Sequence, residues 1–146
     1  MARIAMSAIQ IDLSPERITL RADGRVHTYS PVLHIMPSRN SGWRRVLLGS
    51  MQVALGGDPL TSQPAMSVPL FSRGGAVPSG LTKTDCLERF FRLAFKRLMD
   101  SYVFRTKPRV EVRGLASLNS ALSGYQDRLL SEAIIKAGAG AVTMVD

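Results

Sequence analysis

Residues 123–145 read SGYQDRLLSEAIIKAGAGAVTMV, and this stretch decides the fold. Leu129, Ala133, Ile134 and Ala137 recur at helical spacing, so a helix is expected over 123–137. Ser123 and Gln126 have capping-box spacing at its start. Gly138 stands where a helix can end in a left-handed cap, since glycine carries no Cβ penalty there. A strand follows over 141–145. Just upstream, Pro108 introduces another strand over 109–115, with Val110 and Val112 pointing one way. Strand, helix and strand in that order are the parts of a crossover between parallel strands.

Further towards the N-terminus lies a second helix. Thr82 with Asp85 three residues later is a capping-box start, and Leu87, Phe90, Phe91, Ala94, Leu98 and Tyr102 make one apolar stripe. Arg89, Arg92, Lys96 and Arg97 lie largely off that stripe. They form either a solvated basic face or a docking surface for an acidic protein partner. The first third of the chain alternates like β structure. Ile9, Ile11 and Leu13 alternate with Gln10 and Asp12, and Ile18 and Leu20 with Thr19 and Arg21. Ser14-Pro15-Glu16-Arg17 and Asp23-Gly24 are turns, and 26–35 is a third strand open to interruption at Pro31.

A loop is expected over 37–42, a short strand around Val46 and Leu48, and a brief helix over 51–55 ended by Gly56-Gly57. Residues 58–80, rich in proline, glycine and serine, read as a surface excursion with one edge strand over 68–71. The whole, 1–146, is expected to be one domain. Its class is α/β: a mixed sheet in which a three-strand antiparallel meander is extended by right-handed β-α-β crossovers. That is also the element order of a ribonuclease-H-like domain.

Composition narrows the function. No apolar run approaches the roughly 18 residues of a spanning helix, and the start of the chain is a poor secretory signal. A single cysteine, Cys86, allows no disulfide framework and reads as a small buried hydrophobe. A reducing, cytoplasmic setting follows. The net charge of +8 points to an acidic partner, but the basic residues are scattered and no block of five like charges occurs. His27 and His34 lack zinc-ligand spacing, and neither a phosphate-binding loop nor a nucleophile elbow is present.

Tyr125-Gln126-Asp127-Arg128-Leu129-Leu130-Ser131-Glu132-Ala133, then Lys136-Ala137-Gly138-Ala139-Gly140-Ala141-Val142, resembles the helix and strand of MreB-type bacterial actins, V-E-R-R-A-V-x-E-A-A followed by x-A-G-A-x-x-V. Leu48-Gly49 to Gly56-Gly57-Asp58-Pro59 is similar to that family's V-G-x-x-A-x-x-x-x-G-R-T-P segment. Val68-Pro69-Leu70 with Gly75-Ala76-Val77 is similar to its R-P-L-x-x-G-V-I stretch, and Asp12 takes the place of the aspartate in its opening D-L-G-T hairpin. The likeness spans nearly the whole chain, with the 125–142 segment its most specific part.

The resemblance implies the first large domain of an actin-like fold, in which nucleotide sits between two domains. It places Asp12, Ser14 and Gln126 at the nucleotide site. The residues there depart from the pattern. Ser14 replaces glycine, Pro15 lacks an N–H, Glu16 brings a like charge towards phosphate, and Gln126 stands where the family has a water-orienting carboxylate. No catalytic residue and no metal site is expected. No cofactor is expected either, with weak residual binding of ATP and magnesium left open. The expected role is a non-catalytic actin-like binding or scaffold protein, related to the cell-shape cytoskeleton, that works through self-assembly or a protein partner. The alternatives are a basic nucleic-acid-binding module and a metal-dependent nuclease using Asp12, Glu111 and Asp146. Attachment to a membrane is disfavoured, because the N-terminal segment alternates like a strand.

Overall fold

Three antiparallel strands open the sheet: β1 (Ala8–Leu13), β2 (Ile18–Ala22) and β3 (Arg25–Ile35). The computed structural model describes residues 8–36, 52–71, 77, 78, 80–99, 107–118 and 126–145. Asp23 and Gly24 both have positive φ, 51° and 80°, the paired values of the two-residue turn that matches strand twist. The register of β3 shifts between Ser30 and Leu33, where Pro31 removes a ladder donor. Around that shift, β4 (Val53–Gly56) and β5 (Met66–Pro69) both pair antiparallel with β3.

The rest of the chain supplies α1 (Lys83–Leu98), β6 (Arg109–Arg113), α2 (Gln126–Lys136) and β7 (Ala141–Val145). Strand β6 runs parallel to β1, and β7 runs parallel to β6. The order across the sheet is β4-β3-β2-β1-β6-β7, with β5 joined to β3. The fold is therefore α/β with a mixed sheet, a meander continued by crossovers.

Three boundaries differ from the sequence reading, the first being the edge strand expected over 68–71, which runs over Met66–Pro69. Residues 53–56 form a strand and not part of a helix: Val53 and Leu55 face β3 partners Ile35 and Leu33, and this pairing outweighs weak local helix preference. The strand expected over 109–115 stops at Arg113, because Gly114 (φ +87°) turns the chain into a 3-10 turn at Leu115–Leu118. The expected loop at 37–42, the strand around Val46 and Leu48, and the caps or stripe positions Ser123 and Tyr102 lie outside the described residues.

Helix ends follow the sequence closely. The Thr82 hydroxyl accepts from the Asp85 N–H at 3.1 Å while the Asp85 carboxylate accepts from the Thr82 N–H at 2.8 Å. At the end of α2, the Gly138 N–H donates to Ile135 and the Ala139 N–H to Ile134. With Gly138 at φ +130°, this is a Schellman cap.

Packing is one-sided. Helix α1 lies on α2 and over β2 and β3, and α2 lies over β7. Ile9, Ile11, Leu13, Ile18, Leu20, Val110 and Val112 are buried beneath them, with Phe90, Phe91, Phe95, Leu98, Leu130 and Ile134 from the helices. The alternate residues Gln10, Asp12, Thr19, Arg21, Thr28, Arg109, Glu111, Arg113 and Thr143 face the other way. Parallel strands are usually covered on both faces and read as continuous apolar runs. Here β6 reads Arg-Val-Glu-Val-Arg, so one face is core and the other is charged. No described helix covers that charged face.

Candidate functional site

The charged face carries Asp12. Its carboxylate accepts from Arg21 Nε at 3.0 Å and from Gln10 Nε2 at 3.1 Å, so a cation and an amide already occupy it. On the neighbouring strand, Arg113 Nε donates to Glu111 at 2.7 Å. Registered strands set these groups side by side, with Asp12 opposite Thr19 and Arg113, and Gln10 opposite Arg21 and Glu111. A hollow of about 450 Å³ opens at one end of the face, lined by Ala8, Gln10, Arg21, Arg25, Val26 and Glu111. A second of about 350 Å³ adjoins it with Arg109 and Thr143.

Ser14 begins the turn between β1 and β2. Its N–H donates to the Arg17 carbonyl at 2.9 Å, and the Arg17 N–H donates back to the Ser14 hydroxyl at 3.0 Å. Two of the turn's amides are thus spent internally, and Pro15 has none to offer. A phosphate cradle needs several amides pointing outward together. This hairpin leaves one, at Glu16, beside a carboxylate. Gln126 opens α2, and its side chain lies outside the described residues.

The basic positions of α1 separate. Arg92 and Lys96 are exposed, which a solvated face and a docking face share. Arg92 also donates to the Lys136 carbonyl at 2.8 Å, tying α1 to the end of α2. Arg89 is half-buried, and its Nε has no partner among the described residues. Arg97 turns inward. It grips Asp58 through two hydrogen bonds of 2.8 Å and lies 6.0 Å from the centre of the Tyr29 ring. Asp58 also accepts from the Leu55 N–H at 2.8 Å. Arg97 is therefore a clamp between α1 and the exit of β4, with about a third of its side chain still exposed.

Burial alone would raise the Asp58 pKa, but the hydrogen bonds from Arg97 and Leu55 outweigh it and hold the carboxyl below its ordinary value. A group with a depressed folded-state pKa stabilises the fold above its unfolded pKa and ceases to do so as pH falls through the folded one. Arg97→Met is expected to cost about 2 kcal/mol near neutral pH, between the values for exposed and buried pairs. Urea unfolding should show the gap between wild type and variant closing below about pH 4, as Asp58 protonates in both. A gap that stays constant down to that acidity would mean the pair contributes nothing through charge.

Large apolar side chains exposed among the described residues are Val26, Leu60 and Ile135, on three separate elements. Cys86 is fully buried, and burial, with Asp85 nearby, pushes its thiol pKa up, which suits a core residue and not a nucleophile. The nuclease carboxylates Asp12 and Glu111 stand on adjacent strands, each held by an arginine, and Asp146 lies outside the described residues. No group of three metal-ligating side chains occurs among the described residues.

Sequence reading missed the Asp58–Arg97 clamp, because nothing local links residues 39 positions apart. The Arg109–Glu111–Arg113 row was legible in its alternation. No helix among the described residues is long and apolar enough to cross a membrane. Neither a protein-family model nor a curated protein matches this sequence.

Proposed function

We propose that this chain is a non-catalytic, actin-like binding or scaffold protein of the cytoplasm, acting through self-assembly or a protein partner. The observation that carries the reading is the closed hairpin at Ser14–Arg17 beside an Asp12 already paired with Arg21. An actin-type site needs free amides and a free carboxylate at those two places. The sheet order β3-β2-β1-β6-β7, with the last three parallel, supports a ribonuclease-H-like core for that role. The MreB-like resemblance of 125–142 supplies the family side of the proposal.

Nucleic-acid binding is a weaker second reading. Arg21, Arg109 and Arg113 lie on the open face of the sheet and Arg92 and Lys96 on the helix layer opposite, so the basic charge is divided between two sides. The open face also interleaves Asp12 and Glu111 and carries no aromatic ring for base stacking among its described residues.

Thermal unfolding with and without magnesium–ATP tests the proposal. A ligand at a hundred times its Kd stabilises by about 2.7 kcal/mol, several degrees for a chain of this size. No shift is expected with millimolar nucleotide, and no phosphate release. A clear upward shift that Asp12→Asn abolishes would overturn the non-catalytic assignment.

A further inference from the structure

We infer that the outer edge of β7 pairs with β7 of a second copy of this chain, antiparallel and centred on Thr143. The inference deepens the proposed scaffold role by naming one assembly contact, and it rests on the self-assembly arm of that reading. Strand β7 ends the sheet, and no described strand pairs with its far side. An edge of this kind offers a row of unpaired N–H and C=O groups, which proteins usually block with a charge, a proline, a bulge or a very short strand. The other free edges carry such devices. Strand β5 ends on Pro69, and β4 has four residues, the last of them Gly56. Strand β7 reads Ala-Val-Thr-Met-Val, one residue longer than β4, and has no charge, proline or bulge.

The strand suits a copy of itself. A two-fold axis at its middle residue sets Thr143 against Thr143, Ala141 against Val145 and Val142 against Met144, using its whole length. Residues opposite one another in an antiparallel pair share a face. Val142 and Met144, partly buried against the core, would thus continue the apolar layer across the junction, while Ala141, Thr143 and Val145 continue the opposite face.

Charge selects the place. The chain as a whole carries +8, so two copies repel over most of their surface. Residues 126–145 hold Asp127 and Glu132 against Arg128 and Lys136 and are neutral. A second copy can approach there at less of that cost, although Arg109 and Arg113 lie one strand away. Homo-oligomers also close most often as two-fold dimers in which one patch meets itself.

Cysteine trapping reads the register directly. In either kind of antiparallel pair, facing Cα atoms are about 4.5–5.5 Å apart, within disulfide reach. Thr143→Cys should oxidise to a covalent dimer nearly completely, whereas Ala141→Cys, which would face Val145, should give little. The native Cys86 is fully buried and does not compete. In sedimentation equilibrium, Thr143→Lys should raise the dimer Kd at least tenfold by setting like charges face to face, with far-UV circular dichroism unchanged. Equal trapping at both cysteine positions, or a wild-type dimer indifferent to Thr143→Lys, overturns the edge pairing and leaves the scaffold reading standing. A wild type that stays monomeric at about 100 μM, well above the Kd of a weak interface, also overturns it. Nucleotide binding would instead remove the non-catalytic reading without touching the dimer.

Discussion

Phe90→Ala is expected to remove about 4 kcal/mol of stability, the largest loss from a single side chain in the described core. Phe90 is fully buried on the face of α1 that meets the sheet. Its ring meets Tyr29 of β3 edge-on at 5.8 Å and Phe91 at 5.5 Å, and Phe91 in turn meets Phe95 at 5.9 Å. Truncation therefore loses the transfer of a large apolar group, two ring contacts and the contacts of a cavity that rigid neighbours cannot fill. Total stability of a domain is about 5–15 kcal/mol, so the variant should unfold at far lower urea with an unchanged m-value. Phe90→Leu, which leaves a smaller void, should recover about half. A loss under about 1 kcal/mol for Phe90→Ala would mean that α1 is not anchored through this cluster.

Gly114→Ala should cost about 3 kcal/mol although it removes nothing. Gly114 has φ +87°, and a Cβ there would press on the Leu13 carbonyl, backbone against side chain. Relief would require β1 and β6 to separate at the end that leads into the Ser14–Arg17 hairpin. That end is already tightly held: the Ser117 hydroxyl donates to the Gly114 carbonyl at 2.6 Å and reaches the Leu13 carbonyl at 3.3 Å. Gly138→Ala is the matched control. It also sits at positive φ, but a Cβ there meets nothing within 4 Å, so only the conformational cost of about 1 kcal/mol applies. Thermal unfolding should rank the two, and amide exchange at Ser14 and Arg17 should quicken only in Gly114→Ala. Equal losses at the two glycines would show that the close approach is relieved for little.

What could be read from the sequence was whatever depends on neighbours in the chain. The Thr82 capping box, the Asp23-Gly24 turn, the Gly138 cap and the alternation of β1, β2 and β6 are local patterns, and each forms as its residues direct. Strand β4 was hidden because four residues ending in glycine carry little periodicity, and only their pairing with Leu33 and Ile35 makes them a strand. The contact of Arg97 with Asp58 was hidden for a similar reason. The position of Arg97 on α1 lies at the border of the apolar stripe, and only the fold brings Asp58 within reach. The one-sided cover of the parallel strands was written in Arg-Val-Glu-Val-Arg, where charged residues alternate with two buried valines.

Strand β1 pairs with β2 ten residues later and with β6 about a hundred residues later, at Arg109. During synthesis at about 5–20 residues per second, the meander therefore emerges several seconds before the strand that seals its inner edge. For that interval Ile9 and Ile11 sit in a hairpin lacking one neighbour and the helices above it. The newborn chain has most need of a chaperone then, and a rare-codon pause placed between 36 and 109 would lengthen the exposure.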